Sequence, residues 1–130
     1  MLSLASAAAI GLGGFIGAIS RSVLTGFFNH SIPYHGIAVG TLGVNILGSF
    51  LMGVLFAFFH HTEIFSPHMK SFLSTGILGA LTTYSTFAWE SFFMLEHGRY
   101  GHFALNVTSN ILGTLVAVAL GYMLFQLFLK

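Results

Sequence analysis

Residues 79–91 read GALTTYSTFAWES and place five hydroxyl-bearing side chains in succession within an otherwise apolar chain. The hydroxyl run covers residues 82–86, and an acid, Glu90, follows it. Gly79 and the adjacent Thr82 and Thr83 are weak helix formers, and hydroxyl side chains compete for backbone hydrogen bonds. Two interpretations are open. The helix breaks near residues 79–83, or it is continuous with a glycine-rich packing face, because membrane helices tolerate glycine.

The composition of the surrounding chain indicates a protein whose solvent is lipid. Of 130 residues, 55% are hydrophobic and only 5% are charged, and the mean hydropathy is +0.90. A soluble domain carries about 25% charged residues. The net charge of +1 argues against nucleic acid as a partner, and the lack of cysteine excludes disulfides and thiolate metal sites.

Four stretches have the roughly 20 apolar residues that a membrane-spanning helix needs. They cover about residues 4–28, 37–59, 70–95 and 102–128, and short polar joints separate them. No Lys or Arg precedes the first stretch, so we interpret it as a retained span and not as a signal peptide. We therefore expect an all-α membrane protein in which residues 1–130 form a single four-helix transmembrane domain, with Pro33 and Pro67 in the joints.

The positive charges do not select an orientation in the membrane. With four spans, Lys70 and Lys130 lie on the side of the termini, and Arg21 and Arg99 lie on the other side. Orientation follows an excess of Lys and Arg in the cytoplasmic loops, and neither side has an excess here. Either another signal selects one orientation, or the chain inserts both ways and pairs as an antiparallel dimer.

Two stripes of polar residues lie at membrane depth, one in the second span and one in the fourth. A spacing of four places each stripe on one helical face, and polar groups in hydrocarbon have to face protein or water. A hydroxyl bonded to the carbonyl one turn earlier explains a lone threonine, whereas Asn45 fits an interhelical hydrogen bond or a pore-lining position. Together the stripes indicate a polar route through the bundle. They consist of Thr41, Asn45 and Ser49, and of Asn106, Asn110 and Thr114.

Aromatic and acidic residues after the hydroxyl run are further candidates. Tyr84 and Phe87 lie three residues apart on one face, and the positive edges of their rings would attract a small anion. Packing against lipid or within the core is the more ordinary explanation of two such aromatic residues. Glu90 is the only acid well inside a span, which makes it a candidate proton carrier, cation ligand or hydrogen-bond acceptor. Its position about 8 Å from the helix end, at 1.5 Å per residue, weakens the first of these roles.

Three motifs resemble, in order, the first-, second- and third-helix motifs of the small bacterial fluoride channels, the Fluc family. They are GGFIGAISR at 13–21, GTLGVNILGSFLMG at 40–53 and GILGALTTYSTFAWE at 76–90. The resemblance covers essentially the whole chain. It implies an ion channel, not an enzyme, that exports fluoride passively across the bacterial cytoplasmic (inner) membrane and relieves fluoride toxicity. It also implies a dual-topology, antiparallel homodimer whose third helix is broken near its middle.

The same resemblance implies a set of residues that line the fluoride pore. At one of these positions, Tyr84 replaces the phenylalanine that the family usually has. The ring edge is retained. The tyrosine hydroxyl adds a hydrogen-bond donor and some bulk, so we expect anion coordination and the rate of fluoride transport to differ. The implied pore residues are Asn45, Tyr84, Ser85, Thr86, Phe87 and Thr114.

The resemblance further implies a structural sodium ion (Na+) at the dimer interface. The backbone carbonyls of Gly79 and Thr82 from both subunits would hold it. Ala80 replaces the second glycine of the family's pair, and we expect it to stiffen the break. Arg21 and Glu90 also match family positions.

Three other classes of protein fit parts of the sequence. The main alternative is a proton-coupled exporter of small cationic compounds, of the small four-span, dual-topology kind. Such exporters centre on an acid in the first span, which this chain lacks. A membrane enzyme needs a catalytic cluster, and no paired acids or nucleophile with a base lie at depth. A packing subunit without transport would need only the glycines.

Overall fold

The chain folds entirely into helices within the residues that the computed structural model describes, 2–32 and 36–128. Pro33, which was expected in a joint, and Lys130, which was counted among the positive charges, lie outside these residues. The expected all-α fold with four helical segments is confirmed, and the third segment, residues 67–96, is in several pieces. The elements are α1 (Leu4–Ser31), α2 (Val39–His61), α3 (Pro67–Ser71), a π-helix (Phe72–Leu78), α4 (Gly79–Leu81), α5 (Tyr84–Glu96) and α6 (Tyr100–Leu127).

The helices extend a few residues into the predicted joints. Pro67 was expected in a joint but occupies the start of α3, where its missing N–H costs nothing. The hydroxyl of Ser66 caps this helix by accepting from the Met69 amide at 3.3 Å. Likewise, α2 continues through His61, and α5 ends at Glu96, which the sequence placed in the following joint. The Ser66 cap thus starts α3 three residues before the predicted start of the third span at Lys70.

Three of the helices, α1, α2 and α6, are each long and apolar enough to cross a membrane by length and composition. Many of their large apolar side chains are not covered by the rest of the chain, including Phe15 at 67% and Leu115 at 64% exposed. Such exposure suits contact with lipid, which is as apolar as the side chains themselves.

Glycine allows α2 and α6 to pack backbone against backbone. A Cβ atom added at Gly53 would collide with the carbonyl oxygen of Val118, and one added at Gly121 would collide with that of Phe50. Small residues at such contacts let helices approach closely where the hydrophobic effect does not drive association. This contact is the most extensive in the fold and brings the polar stripes of the two helices together.

A second close contact holds α1 against the π-helix that leads to the break. Gly13 faces Gly76 across it, with a Cβ at Gly76 only 2.8 Å from the Gly13 Cα. One turn on, a Cβ at Gly17 would meet the Ile77 carbonyl and would lie 3.0 Å from the Ala80 Cβ. The methyl group of Ala80 thus packs on Gly17, and the third helix breaks shortly after it all the same.

Candidate functional site

The third helix is interrupted between Leu81 and Tyr84. Thr82 and Thr83 adopt extended backbone conformations, with φ/ψ of −82°/157° and −147°/115°. Thr83 is the N-cap of α5, and its hydroxyl oxygen accepts from the Thr86 amide at 3.4 Å. Threonine favours both extended backbone and N-cap positions. Of the two interpretations open from the sequence, the broken helix is therefore the one that forms.

Asn45 on α2 bridges the interruption with its side-chain amide. The Thr83 amide donates to Asn45 Oδ1 at 2.7 Å, and Asn45 Nδ2 donates to the Thr83 carbonyl at 3.1 Å. The same Nδ2 atom donates to Asn110 Oδ1 on α6 at 3.0 Å. The interhelical hydrogen bond considered for Asn45 is thus observed.

A cavity of about 280 Å³ lies beside the break, between α2, α5 and α6. Its wall combines neutral polar groups with aromatic rings, and no charged side chain among residues 2–32 and 36–128 lines it. Two members of each polar stripe line this cavity, whereas Thr41 and Asn106 do not. Polar or aromatic lining residues are Asn45, Ser49, Tyr84, Phe87, Asn110 and Thr114.

Four of the six residues expected in the pore line this cavity, and Ser85 and Thr86 do not. Both are exposed on α5, and the Thr86 hydroxyl accepts from the Thr83 hydroxyl at 2.9 Å. The hydroxyl of Thr114 donates to the Asn110 carbonyl one turn earlier, at 2.7 Å. A single chain therefore assembles only part of the expected polar lining.

Tyr84 and Phe87 form an edge-to-face pair but differ in burial. Their ring centroids are 5.5 Å apart with an interplanar angle of 63°. Phe87 is 7% exposed and belongs to the core, whereas Tyr84 is 80% exposed and projects away from the chain. Tyr84 therefore presents its ring and hydroxyl outward at the mouth of the cavity.

Glu90 lies away from this cavity and is tied to α2. The Thr41 hydroxyl donates to Glu90 Oε1 at 2.7 Å, and Oε2 is buried without a hydrogen-bond partner among the described residues. Glu90 instead lines a second cavity of about 370 Å³, together with residues that include Asn29, Trp89 and Arg99. Of the roles considered for Glu90, the hydrogen-bond acceptor matches this geometry.

Backbone carbonyls at the break are poorly supplied with donors. In a continuous helix the Thr83 amide would bond the Gly79 carbonyl, but it donates to Asn45 instead. The Thr82 carbonyl accepts a long contact of 3.5 Å from Arg21 Nη1, which sequence reasoning did not anticipate. Carbonyls freed by a broken membrane helix are the groups that coordinate Na+ in transport proteins. The donor chemistry of Gly79 and Thr82 therefore fits the expected ion.

Some residues at the site were not assigned a role from the sequence. Thr41, Asn106 and Asn110 carried the signal of four-residue spacing, yet only the fold shows what they bond. Ser91 carried no signal, because a lone serine in a helix usually bonds the carbonyl one turn earlier. It does so here, at 2.8 Å from Phe87 O, and also accepts from Asn106 Nδ2 at 3.1 Å.

These features define a helical membrane protein with a polar, uncharged cavity at a broken intramembrane helix. Residues 8–122 match the family described as "CrcB-like protein, Camphor Resistance (CrcB)". The chain belongs to this family.

Relatives from other organisms are similar along nearly the whole chain. A Sulfurimonas denitrificans protein named "Fluoride-specific ion channel FluC" is 51% identical over 122 residues, which cover 94% of each chain. A Campylobacter lari protein of the same name is 48% identical over 120 residues, 91% of this chain and 95% of the relative. A Campylobacter jejuni protein, also so named, is 47% identical over 117 residues, 90% of this chain and 94% of the relative.

Proposed function

We propose that this protein is a fluoride-selective channel that lets fluoride leave the cell passively. The observation that carries the proposal is the uncharged polar cavity at the helix break, in a chain about half identical to proteins named fluoride-specific ion channels. Channels belong to a class without a catalytic step, which agrees with the absence of a catalytic cluster in the sequence. The cellular location we propose is the bacterial cytoplasmic (inner) membrane.

The chemistry of the cavity suits a small, strongly hydrated anion. A pore has to replace the water shell of the ion without holding it so firmly that it stays. Neutral hydroxyl groups and the positive edges of aromatic rings do this, whereas a Lys or Arg within the wall would retain the ion. In our proposal Tyr84 and Phe87 present ring edges, and Thr114 and Asn45 form the facing wall.

A second copy of the chain would complete the pore, and we propose an antiparallel homodimer. Ser85, Thr86 and Tyr84 are exposed at membrane depth in a single chain, and lipid offers their polar groups no partners. The balance of two positive charges on each side allows both orientations. A partner chain against α5 would cover these groups and bring Ser85 and Thr86 to a shared pathway.

The proposed sodium ion belongs to the same interface. Gly79 is exposed, so its carbonyl lies on a surface that a second copy can reach. The two oxygens of one chain would enclose an ion from one side, and two from a partner would enclose it from the other. When bound, the ion would supply positive charge that holds the two breaks together.

Fluoride efflux from vesicles tests the function. Purified protein is reconstituted into lipid vesicles loaded with potassium fluoride or potassium chloride, and a fluoride or chloride electrode records release. We expect fluoride release, negligible chloride release and no requirement for a proton gradient. Proton-driven uptake of an organic cation would favour the exporter alternative instead. Transport of neither fluoride nor the organic cation would favour a packing subunit.

Single-cysteine labelling tests the dual topology. The chain contains no cysteine, so Glu63→Cys in the exposed joint after α2 places one thiol on the surface. In intact cells, an impermeant thiol reagent is expected to label about half of the protein, since antiparallel partners place the joint on opposite sides. Labelling of all or none of the protein would reject the antiparallel arrangement.

Heat denaturation tests the sodium ion without relying on transport. A ligand that binds only the folded state raises the unfolding temperature as its concentration rises. We expect the midpoint of the detergent-solubilised dimer to rise with sodium chloride and not with caesium chloride at equal ionic strength. Equal midpoints in the two salts would remove the sodium proposal and leave the channel proposal standing.

A further inference from the structure

A chain of buried hydrogen bonds leaves the helix break, crosses two neighbouring helices and returns. The Thr83 amide donates to Asn45 Oδ1 at 2.7 Å, and Asn45 Nδ2 donates to Asn110 Oδ1 at 3.0 Å. Asn110 Nδ2 donates to the Asn106 carbonyl at 3.0 Å, and Asn106 Nδ2 donates to Ser91 Oγ at 3.1 Å. The donors therefore point the same way from α5 through α2 and α6 and back to α5.

This series of hydrogen bonds attaches to α5 at two positions along the helix axis, Thr83 and Ser91. Thr83 is the N-cap, and Ser91 lies eight residues further on, about 12 Å along the axis at 1.5 Å per residue. The five residues that these hydrogen bonds connect are each between 0% and 8% exposed. Buried polar networks whose members are satisfied specify a single arrangement. The rotation and height of α5, and with them the position of Phe87 beside the cavity, are thus set by α2 and α6.

The amide of Asn45 has no donor left for an ion in the cavity. A primary amide carries two N–H groups. In Asn45 one donates to the Thr83 carbonyl at 3.1 Å and the other to Asn110 Oδ1 at 3.0 Å. The side chain forms part of the cavity wall, yet both of its N–H groups donate to acceptors within the protein.

Ser49, one turn further along the same face of α2, differs from Asn45 in this respect. Its hydroxyl lines the cavity and makes no hydrogen bond to the described residues. A hydroxyl rotates to suit a partner and can donate its proton to an anion. Ser49 is thus the residue on α2 whose donor is available to the cavity.

On the basis of the proposed fluoride function, we infer that Asn45 and Asn110 position α5 and the break, and that Ser49 donates to the passing anion. The two roles have separable consequences. Loss of a donor to the ion changes the fluoride concentration at which flux is half-maximal. Loss of a positioning residue lowers the flux and loosens the break, because the Thr83 amide loses either its partner Asn45 or the Asn110 oxygen that holds Asn45 in place.

Three variants separate the roles: Ser49→Ala, Asn110→Leu and, as a matched control, Thr108→Val on the exposed side of α6. Each is assayed for fluoride dependence of efflux and for hydrogen exchange at the Thr83 amide. We expect Ser49→Ala to raise the half-maximal fluoride concentration and to leave Thr83 exchange unchanged. We expect Asn110→Leu to lower flux by at least about tenfold, because Asn45 Nδ2 loses its Asn110 acceptor, and to speed Thr83 exchange. The control should change neither.

Different results would overturn each assignment. If Ser49→Ala matches the control in fluoride dependence, Ser49 does not contact the ion. If Asn110→Leu changes the half-maximal fluoride concentration while Thr83 exchange stays slow, Asn110 acts on the ion and not on the break. Should Asn110→Leu fail to fold, Asn110→Ser is expected to show the same faster exchange, and slow exchange would reject the inference. Absence of fluoride flux through the unaltered protein would instead reject the proposed function, while Thr83 exchange would still test the network.

Discussion

The hydroxyl of Thr41 on α2 donates to Oε1 of Glu90 on α5 at 2.7 Å, while the other carboxylate oxygen is buried without a partner among the described residues. This bond holds an acid that lies inside the third helical segment, six residues before its end at Glu96. Together with the Asn45 bridge to Thr83, it gives α2 two attachments to the second half of the broken helix. The α2 helix thus serves as the frame against which α5 is set.

Removing the Thr41 hydroxyl should therefore affect both stability and conduction. In Thr41→Val the Glu90 carboxylate loses its donor, and an unsatisfied buried polar group costs about 1–3 kcal/mol. We expect a lower unfolding temperature and lower fluoride flux. Thr41→Ser retains the donor and serves as the control. A loss in Thr41→Ser and none in Thr41→Val would show that the methyl group, not the hydrogen bond, matters.

The close contact of α2 and α6 predicts that one added methyl group disrupts the fold. In Gly121→Ala the new Cβ would collide with the Phe50 carbonyl, and overpacking costs about 1–3 kcal/mol. We expect a reduced yield of folded protein and a lower unfolding temperature. Gly11→Ala is the matched control, because nothing lies within 4 Å of its added Cβ. Alanine there should be neutral or stabilising by up to about 1 kcal/mol.

Phe87 tests the role of aromatic edges in conduction. Phe87→Ile keeps an apolar side chain at a position that is 7% exposed but removes the aromatic ring that lines the cavity. We expect fluoride flux to fall while the protein elutes in gel filtration at the same volume as the unaltered protein. Flux equal to that of the unaltered protein would remove the aromatic-edge mechanism.

Tyr84 tests the added hydroxyl separately from the ring. Because its side chain is 80% exposed in the single chain and its hydroxyl bonds no described residue, Tyr84→Phe should leave the stability of the monomer fold unchanged. We expect the rate of fluoride efflux to change, since the ring edge stays and one donor at the mouth of the cavity is lost. The measurement is efflux per unit of reconstituted protein, with unfolding temperature as the control. Unchanged efflux would show that the hydroxyl takes no part.

Sequence reasoning found the spans and the two polar stripes, since each follows from local pattern, whereas local pattern left the break open and the family resemblance implied it. Thr82 and Thr83 break the helix because of their own chemistry, and the four-residue spacing of Asn106 and Asn110 places them on one face whatever lies opposite. Sequence reasoning did not predict that Arg21 donates to the Thr82 carbonyl, or that the Ser91 hydroxyl accepts a hydrogen bond from Asn106. Those contacts join residues 61 and 15 positions apart, and no local rule specifies them.

The apolar composition was sufficient to predict a four-helix membrane protein, because burial in lipid acts residue by residue. The weak helix formers at residues 79–83 left a broken and a continuous third helix both open, and the resemblance to the fluoride channels implied the break. The partners of the polar groups were decided only when the helices packed. The glycine contact of α2 with α6 sets how close the two stripes come, and this distance commits both donors of Asn45 to Thr83 and Asn110 while leaving the Ser49 hydroxyl available. A hydrogen bond depends on distances of tenths of an ångström between separate helices, and such distances are properties of the packed fold.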